Sequence, residues 1–161
     1  MYFFRYTHPI GTLTIAEAGG EIVYLGFGET VPRKIPSTET EPILKETPIL
    51  TQANLELKKY FTHTLRHFTV PICLIGTDFQ KEAWKALAAI PYGTLATYGE
   101  IAKTLGRPKA ARAVGGACNH NPIAIIIPCH RVVGATGKLT GFAGGLDIKE
   151  KLIDLEKYIE N

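Results

Sequence analysis

The chain has 161 residues, a formal charge of +3 and 45% hydrophobic residues, which is typical of one soluble globular domain, or of one domain with a small appended lobe. No apolar run approaches the about 20 residues that a membrane-spanning helix needs. The N-terminus also lacks the layout of a signal peptide, so we expect a cytoplasmic protein without a membrane partner.

The first third of the chain predicts a small β unit. Short β-branched and aromatic runs predict strands at residues 2–8, 13–18 and 22–28. The pair Gly19-Gly20 indicates a hairpin between the last two strands. Residues 31–48 contain four prolines without a clear period, which predicts a loop.

A helix and one further strand are expected before the middle of the chain. Apolar residues recur at helical spacing from Ile49 to about Tyr60. The run 68–75 predicts a strand, and Pro71 restricts that strand to an edge or a bulge. Residues 1–76 are therefore expected to form a small N-terminal β-sheet lobe.

The second half of the chain is predicted to be mostly helical. Patterns typical of capping boxes at Thr77, Thr97 and Asp147 predict three helix starts. Pro108 suits the first turn of a fourth helix, which ends near Asn119. The last helix is expected to bury one face, formed by Ile148, Leu152, Leu155 and Ile159. The fold class is thus α+β, with a helical lobe over residues 77–161.

Two of these helices, joined at Gly106-Arg107-Pro108, have the proportions of a helix-turn-helix. From Thr97 to Lys138 there are six Lys or Arg and one Glu, a net charge of +5, which fits an anionic partner. The second helix consists largely of very small residues, so it carries little base-reading information but lets its backbone approach a groove closely. Arg112 is the one long side chain among these small residues. The alternatives are a solvated basic face and close helix packing in a core.

The sequence Pro128-Cys129-His130-Arg131 follows the apolar run 123–127, which is expected to form a buried strand. The sequence has three cysteines, Cys73, Cys118 and Cys129, and no CxxC motif. Because an odd number cannot pair completely, we expect free thiols. Cysteine reacts as its thiolate, and a histidine base usually needs a third group to orient it. Glu156 borders the apolar face of the last helix, and His130 is its expected partner because a buried Glu needs one.

Three interpretations of Cys129 remain open at this point. It is a buried structural residue, a hydrolase-like nucleophile, or a metal ligand together with Cys118, His120 and His130. The metal spacing fits no common zinc pattern.

Three motifs follow one another along the second half of the chain: RAVGGA at 112–117, PCHRV at 128–132 and GGL at 144–146. In this arrangement they resemble the O6-alkylguanine-DNA alkyltransferase family, densely over residues 77–161. The resemblance implies that the protein flips an O6-alkylguanine out of double-stranded DNA and transfers the alkyl group irreversibly to Cys129. It implies one reaction per molecule, a monomer, and neither cofactor nor metal. A lesion-binding protein without transfer is the second interpretation, and the presence of Cys129 argues against it.

The resemblance also implies roles for individual residues. His130 and Glu156 activate Cys129 through a water, and Asn121 braces this network. Arg112 fills the gap left by the flipped base, and the Tyr98 hydroxyl contacts that base. The guanine edge and O6 are held by main-chain groups of Val132 and Ala143. Contacts to DNA are expected at Thr97, Ala110, Ala111, Gly115, Ala117 and Arg131.

Overall fold

The computed structural model describes residues 1–31 and 41–157. Contacts between residues divide the chain into two compact units, Met1–Ile75 and Gly76–Asn161. The predicted α+β class is confirmed. Within the described ranges, every helix is too short or too polar to cross a bilayer.

The first unit is a four-stranded sheet with one helix. Its elements are β1 (Tyr2–His8), β2 (Gly11–Ala18), β3 (Glu21–Phe27), β4 (Ile43–Leu44) and α1 (Pro48–Phe61). The strand order is β3-β2-β1-β4, with two antiparallel hairpins and β4 parallel to β1. Gly19 and Gly20 adopt φ angles of 60° and 81° in a two-residue hairpin loop, as a twist-matched turn requires. The three predicted strands and the first helix are confirmed.

The hydrophobic core of this unit lies between α1 and the sheet. Leu50 and Leu57 of α1 are fully buried, as are Leu13 and Ile15 of β2. The helix contacts β1, β2 and β3, because Leu50 and Leu57 lie two turns apart on one apolar face.

Two predictions for the first unit need correction. The expected loop 31–48 contains strand β4, and residues 32–40 of that loop lie outside the described residues. The expected strand 68–75 is reduced to one parallel bridge between Ile22 and Ile72. The Ile22 N–H donates to Pro71 O (2.8 Å) and the Cys73 N–H to Ile22 O (2.9 Å). Pro71 has no N–H of its own, so it cannot extend the ladder.

The second unit is mainly helical. Its elements are α2 (Asp78–Ala88), β5 (Ala96–Thr97), α3 (Tyr98–Thr104), α4 (Ala111–Asn119), a 3₁₀ helix (Cys129–Arg131), β6 (Val132–Val133) and α5 (Leu146–Glu156). Both bonds of the predicted capping box between Thr77 and Gln80 are present at the start of α2. The Thr97 hydroxyl likewise accepts from the Glu100 N–H (3.1 Å) at the start of α3.

Two helix starts differ from prediction. Helix α4 begins at Ala111 rather than Pro108, because a turn closed from the Ala110 N–H to Arg107 O (2.9 Å) precedes it. Helix α5 begins after Gly145, whose φ of 93° makes it a backbone cap without a side-chain bond. Asp147 therefore lies within the first turn. Ile159, expected on the buried face of this helix, lies outside the described residues.

The expected strand 123–127 is a tight reversal instead. Ile125 has a φ of 69°, and the Ile127 N–H donates back to Ile123 O (3.0 Å). Ile123, Ile125 and Ile127 are nonetheless all buried. Burial of their side chains outweighs the strand preference of β-branched residues, which depends strongly on context.

Candidate active site

Cys129 lies at the start of the 3₁₀ helix that follows this reversal. The Arg131 N–H closes the helix on Pro128 O (3.0 Å), and only 5% of the Cys129 surface is exposed. The chain at Cys129 and His130 is therefore helical rather than extended. The two neighbouring side chains nevertheless have separate partners, Asn121 for Cys129 and Glu156 for His130.

Asn121 connects the Cys129 thiol to the reversal. Its Nδ2 donates to Cys129 Sγ (3.1 Å) and to Ile127 O (2.8 Å), while its Oδ1 accepts from the Ile123 N–H (3.0 Å). Burial raises the pKa of the Cys129 thiol, and the Asn121 hydrogen bond and the charge of Lys149 oppose that increase. The resting thiol is therefore protonated, and the reaction of a thiolate requires a base.

His130 is the base that the geometry offers. Its side chain is fully buried, and Nε2 lies 2.6 Å from Glu156 Oε2. Burial lowers the pKa of His130, so the resting ring is neutral and donates its Nε2–H to the carboxylate. Nδ1 is then an acceptor, and it is buried with no hydrogen-bond partner among the described residues. A neutral imidazole held in this tautomer can take up a proton at Nδ1.

Arg131 neutralises Glu156 from its other side. Arg131 Nε donates to Glu156 Oε1 (2.7 Å), Nη2 donates to Oε2 (3.1 Å), and Nη1 donates to Ile90 O (2.7 Å). Only 6% of Arg131 is exposed. The expectation that Arg131 contacts DNA is therefore wrong, since its guanidinium is buried against Glu156.

Sequence reasoning missed Lys149, which is fully buried on α5. Its Nζ donates to Val132 O (2.6 Å) and Thr140 O (3.0 Å) and lies 5.9 Å from the centre of the Tyr98 ring. The buried residues of α5 are Lys149, Leu152, Ile153 and Glu156, so the predicted face with Ile148 and Leu155 is rotated. These four residues have the spacing i, i+3, i+4, i+7 of one helix face, so the sequence indicates this face once charged residues are counted as possible members of it.

An open pocket of about 480 Å³, within the usual size of a small-ligand site, lies between the helical pair and the glycine-rich loop at residues 134–145. Two of its lining residues, Tyr98 and Thr140, contact Lys149. Its lining is Tyr98, Gly99, Ala111, Arg112, Gly115, Asn119, Ala135, Thr140 and Gly141. The Tyr98 hydroxyl accepts from Thr140 Oγ1 (2.9 Å). Burial raises the pKa of Tyr98, so the hydroxyl keeps its own proton and can donate it to a ligand.

The other predicted site residues lie in different surroundings. Thr97, Ala110, Ala111 and Gly115 are half-buried, Arg112 and Ala143 are exposed, and Val132 is buried. The expected DNA contact at Ala117 is wrong, because its surface is only 3% exposed and its carbonyl accepts from Trp84 Nε1 (2.9 Å).

The residues of the metal alternative have other partners. His120 is exposed and its Nδ1 contacts Gly116 O (2.8 Å), while His130 contacts Glu156. Across residues 1–31 and 41–157 no group of three or more His, Cys, Asp or Glu could hold a metal ion.

Comparison with known proteins gives consistent matches over nearly the whole chain. The DNA-binding domain of 6-O-methylguanine DNA methyltransferase matches residues 78–158, and its ribonuclease-like domain matches residues 1–74. A methylated-DNA--protein-cysteine methyltransferase of Methanosarcina acetivorans is 48% identical, over 97% of this chain and 98% of that protein. One of the same name from Mycobacterium bovis is also 48% identical, over 92% of this chain and 88% of that protein. A crystal structure of Mycobacterium tuberculosis OGT in complex with DNA superposes with a TM-score of 0.87 at 46% identity, covering 98% of this chain and 93% of the other.

Proposed function

The chain belongs to the 6-O-methylguanine DNA methyltransferase family, and on that premise we propose that it repairs O6-alkylguanine in double-stranded DNA by irreversible alkyl transfer to Cys129. The observation that carries the assignment is the thiol of Cys129, which accepts a hydrogen bond from Asn121 and is followed in the chain by the His130–Glu156 pair. A nucleophile, a base and a group that orients the base are the elements of nucleophilic activation.

The transfer follows from these groups. Cys129 gives its proton to His130 Nδ1 through a bridging water, and Glu156 stabilises the imidazolium that forms. The thiolate attacks the alkyl carbon, so that an S–C bond forms while the bond from that carbon to O6 breaks. The electron pair remains on the guanine, which gains a hydrogen bond or a proton from Tyr98. The product is a thioether, and we assign no residue to its hydrolysis, so each molecule acts once.

The lesion has to leave the base stack, because an atom inside a duplex cannot be attacked in line. We assign the flipped guanine to the pocket beside Tyr98, with main-chain groups of Val132 and Ala143 as its further contacts. Arg112 fills the gap in the duplex. Its exposure and its position in the lining of the pocket support this role.

The helical pair is the proposed DNA-binding surface. Thr97, Ala110, Ala111 and Gly115 keep their assignment as DNA contacts, since they are partly exposed and their small size permits close approach to a minor groove. Exposed cations at Lys103, Arg107, Lys109 and Lys138 supply phosphate contacts. We divide the chain functionally into residues 1–76, an N-terminal α/β lobe, and residues 77–161, the DNA-binding and alkyl-acceptor domain. We also propose a cytoplasmic location.

A stoichiometric assay tests the function. The protein is mixed with a duplex that contains one O6-methylguanine. The mass of the proteolytic peptide that contains Cys129 is then measured by mass spectrometry. We expect one added methyl group on Cys129, and repaired duplex up to one equivalent of protein and no further. An unmodified Cys129 with persistent binding to the lesion would instead identify a lesion-binding protein without transfer.

Replacement of Arg112 by Ala is expected to slow repair in duplex DNA at least about tenfold, because the gap left by the flipped base stays unfilled and unstacking is costly. Reaction with free O6-benzylguanine should stay largely intact. Single-turnover rates on both substrates measure the difference.

Lys109→Ala is the matched control for Arg112, since it removes an exposed cation from the turn before α4. It should weaken binding to damaged and undamaged duplexes alike and reduce the salt dependence. Equal losses on duplex and free base for Arg112→Ala would contradict the assigned role.

A further inference from the structure

Thr140 is a residue of the pocket wall to which the transfer reaction described above gives no task. Its Oγ1 donates to the Tyr98 hydroxyl oxygen over 2.9 Å, and both side chains line the pocket. Among the residues that the structure describes, this is the one hydrogen bond of the Tyr98 hydroxyl. A phenolic hydroxyl has one proton to donate and lone pairs with which it accepts. Because Thr140 supplies the proton of this contact, the Tyr98 proton is left for a ligand of the pocket.

The rest of Thr140 is held by separate contacts. Its carbonyl oxygen accepts from Lys149 Nζ (3.0 Å). Its methyl group lies beside Gly134, where a Cβ atom would be 3.7 Å from Thr140 Cγ2, an ordinary packing distance. A β-branched side chain has few χ1 rotamers, so packing of the methyl group on one side directs the hydroxyl to Tyr98 on the other.

The same hydrogen bond affects the acidity of Tyr98. Burial raises the pKa of Tyr98, and the hydrogen bond from Thr140 opposes this increase. A donor on the phenolic oxygen stabilises negative charge there, and hydrogen bonds arranged in a chain polarise one another. Tyr98 is therefore a stronger donor to an acceptor in the pocket than an isolated buried phenol is.

We propose that Thr140 is a positioning residue for alkyl transfer, whose hydroxyl directs the Tyr98 proton into the pocket and strengthens the hydrogen bond from Tyr98 to the departing guanine. This inference rests on the proposed function. As the S–C bond forms and the bond from the alkyl carbon to O6 breaks, the electron pair stays on the guanine. The hydrogen-bond chain from Thr140 through Tyr98 becomes stronger as this charge develops, so it favours the transition state over the bound substrate.

The test replaces Thr140 by Val, which keeps the β-branched shape and removes the hydroxyl. Single-turnover transfer from free O6-benzylguanine should be slowed about three- to tenfold, the usual effect of one neutral hydrogen bond. The loss should fall on the limiting rate and not on the half-saturating concentration. Thr140→Ser keeps the hydroxyl and should react at nearly the rate of the unaltered protein. Thr136→Val is the matched control, since Thr136 is exposed in the same loop, and its rate should not change.

Two further measurements separate this role from a structural one. Alkylation of Cys129 by iodoacetamide expels iodide, which needs no hydrogen bond from Tyr98, so its rate should be equal in Thr140→Val and in the unaltered protein. In a Tyr98→Phe background, Thr140→Val should cause no further loss of transfer, because Thr140 acts through the Tyr98 hydroxyl. Equal slowing of both alkylations, or additive losses in the double variant, overturns the proposal.

Failure of the proposed function can be distinguished from failure of this inference. If the unaltered protein transfers no alkyl group, the function fails. If the unaltered protein transfers and Thr140→Val transfers at the same rate, the inference alone fails. If Thr140→Val does not fold, Thr140→Ala takes its place. The same slowing and the same lack of additivity with Tyr98→Phe are then expected, and the absence of either overturns the role of Thr140.

Discussion

Replacement of Glu156 by Gln is expected to lower the free energy of unfolding by about 3–5 kcal/mol, the usual cost of leaving one charge of a buried pair unpaired. Glu156 accepts from Arg131 Nε at 2.7 Å and lies 2.6 Å from His130 Nε2. The amide of Gln is neutral, so the guanidinium of Arg131 stays buried without its counter-ion. For a chain of this length we expect the melting temperature to fall by about 10 °C.

Urea and thermal unfolding followed through Trp84 measure this loss, because Trp84 is the single tryptophan and lies in the same unit as Glu156. The matched variant combines Glu156→Gln with Arg131→Met, which removes both charges. It should recover most of the lost stability, since neither new side chain is charged and Arg131 no longer leaves a buried cation without its partner. Alkyl transfer should remain at least about 100-fold slower in both variants, because His130 loses the carboxylate that orients it. A loss below about 1 kcal/mol in the single variant would contradict the buried pair.

The second large effect is expected at Cys129. Cys129→Ser should reduce alkyl transfer at least about 1000-fold, because a serine hydroxyl is far less acidic than a thiol and a poorer nucleophile at a saturated carbon. Binding to a duplex with O6-methylguanine should persist, since Cys129 is not among the proposed DNA contacts. Mass spectrometry of the protein and fluorescence anisotropy of a labelled duplex give the two readouts.

Cys73→Ser is the control for thiol content, since Cys73 lies in the other compact unit. It should transfer at the rate of the unaltered protein. A methyl group found on another residue of the Cys129→Ser protein would contradict the assignment of the acceptor.

Most of the fold could be predicted where local signals and tertiary packing agree. The three long strands follow short β-branched and aromatic runs bounded by turn residues, and the capping box at Thr77 fixes the start of α2. Predictions failed where tertiary packing overrides local preference. The isoleucine run 123–127 favours a strand by composition, yet it folds back at Ile125 with a φ of 69°. Burial of side chains, rather than strand pairing, determines its path.

The candidate site could be predicted in part for a related reason. Glu156 was expected to point inward as the partner of His130, because a buried carboxylate needs a cation or donor. Arg131 and Lys149 escaped the same reasoning, since charged residues were assumed to be exposed. Both are buried because each finds acceptors inside the second unit, a carboxylate for Arg131 and two carbonyls for Lys149. Such pairings between distant residues have no local sequence signature.

The burial of the Cys129 thiol, described above as a barrier that His130 has to overcome, also has a protective consequence. Oxidation to the sulfenic acid proceeds through an accessible thiolate. Cys129 is 5% exposed and its pKa is raised by burial, so it meets neither condition at rest. Because each molecule reacts once, oxidation of Cys129 by one peroxide molecule removes as much repair capacity as the repair of one base. The desolvation that slows ionisation of the Cys129 thiol thus also protects unreacted molecules from oxidation before they bind a lesion.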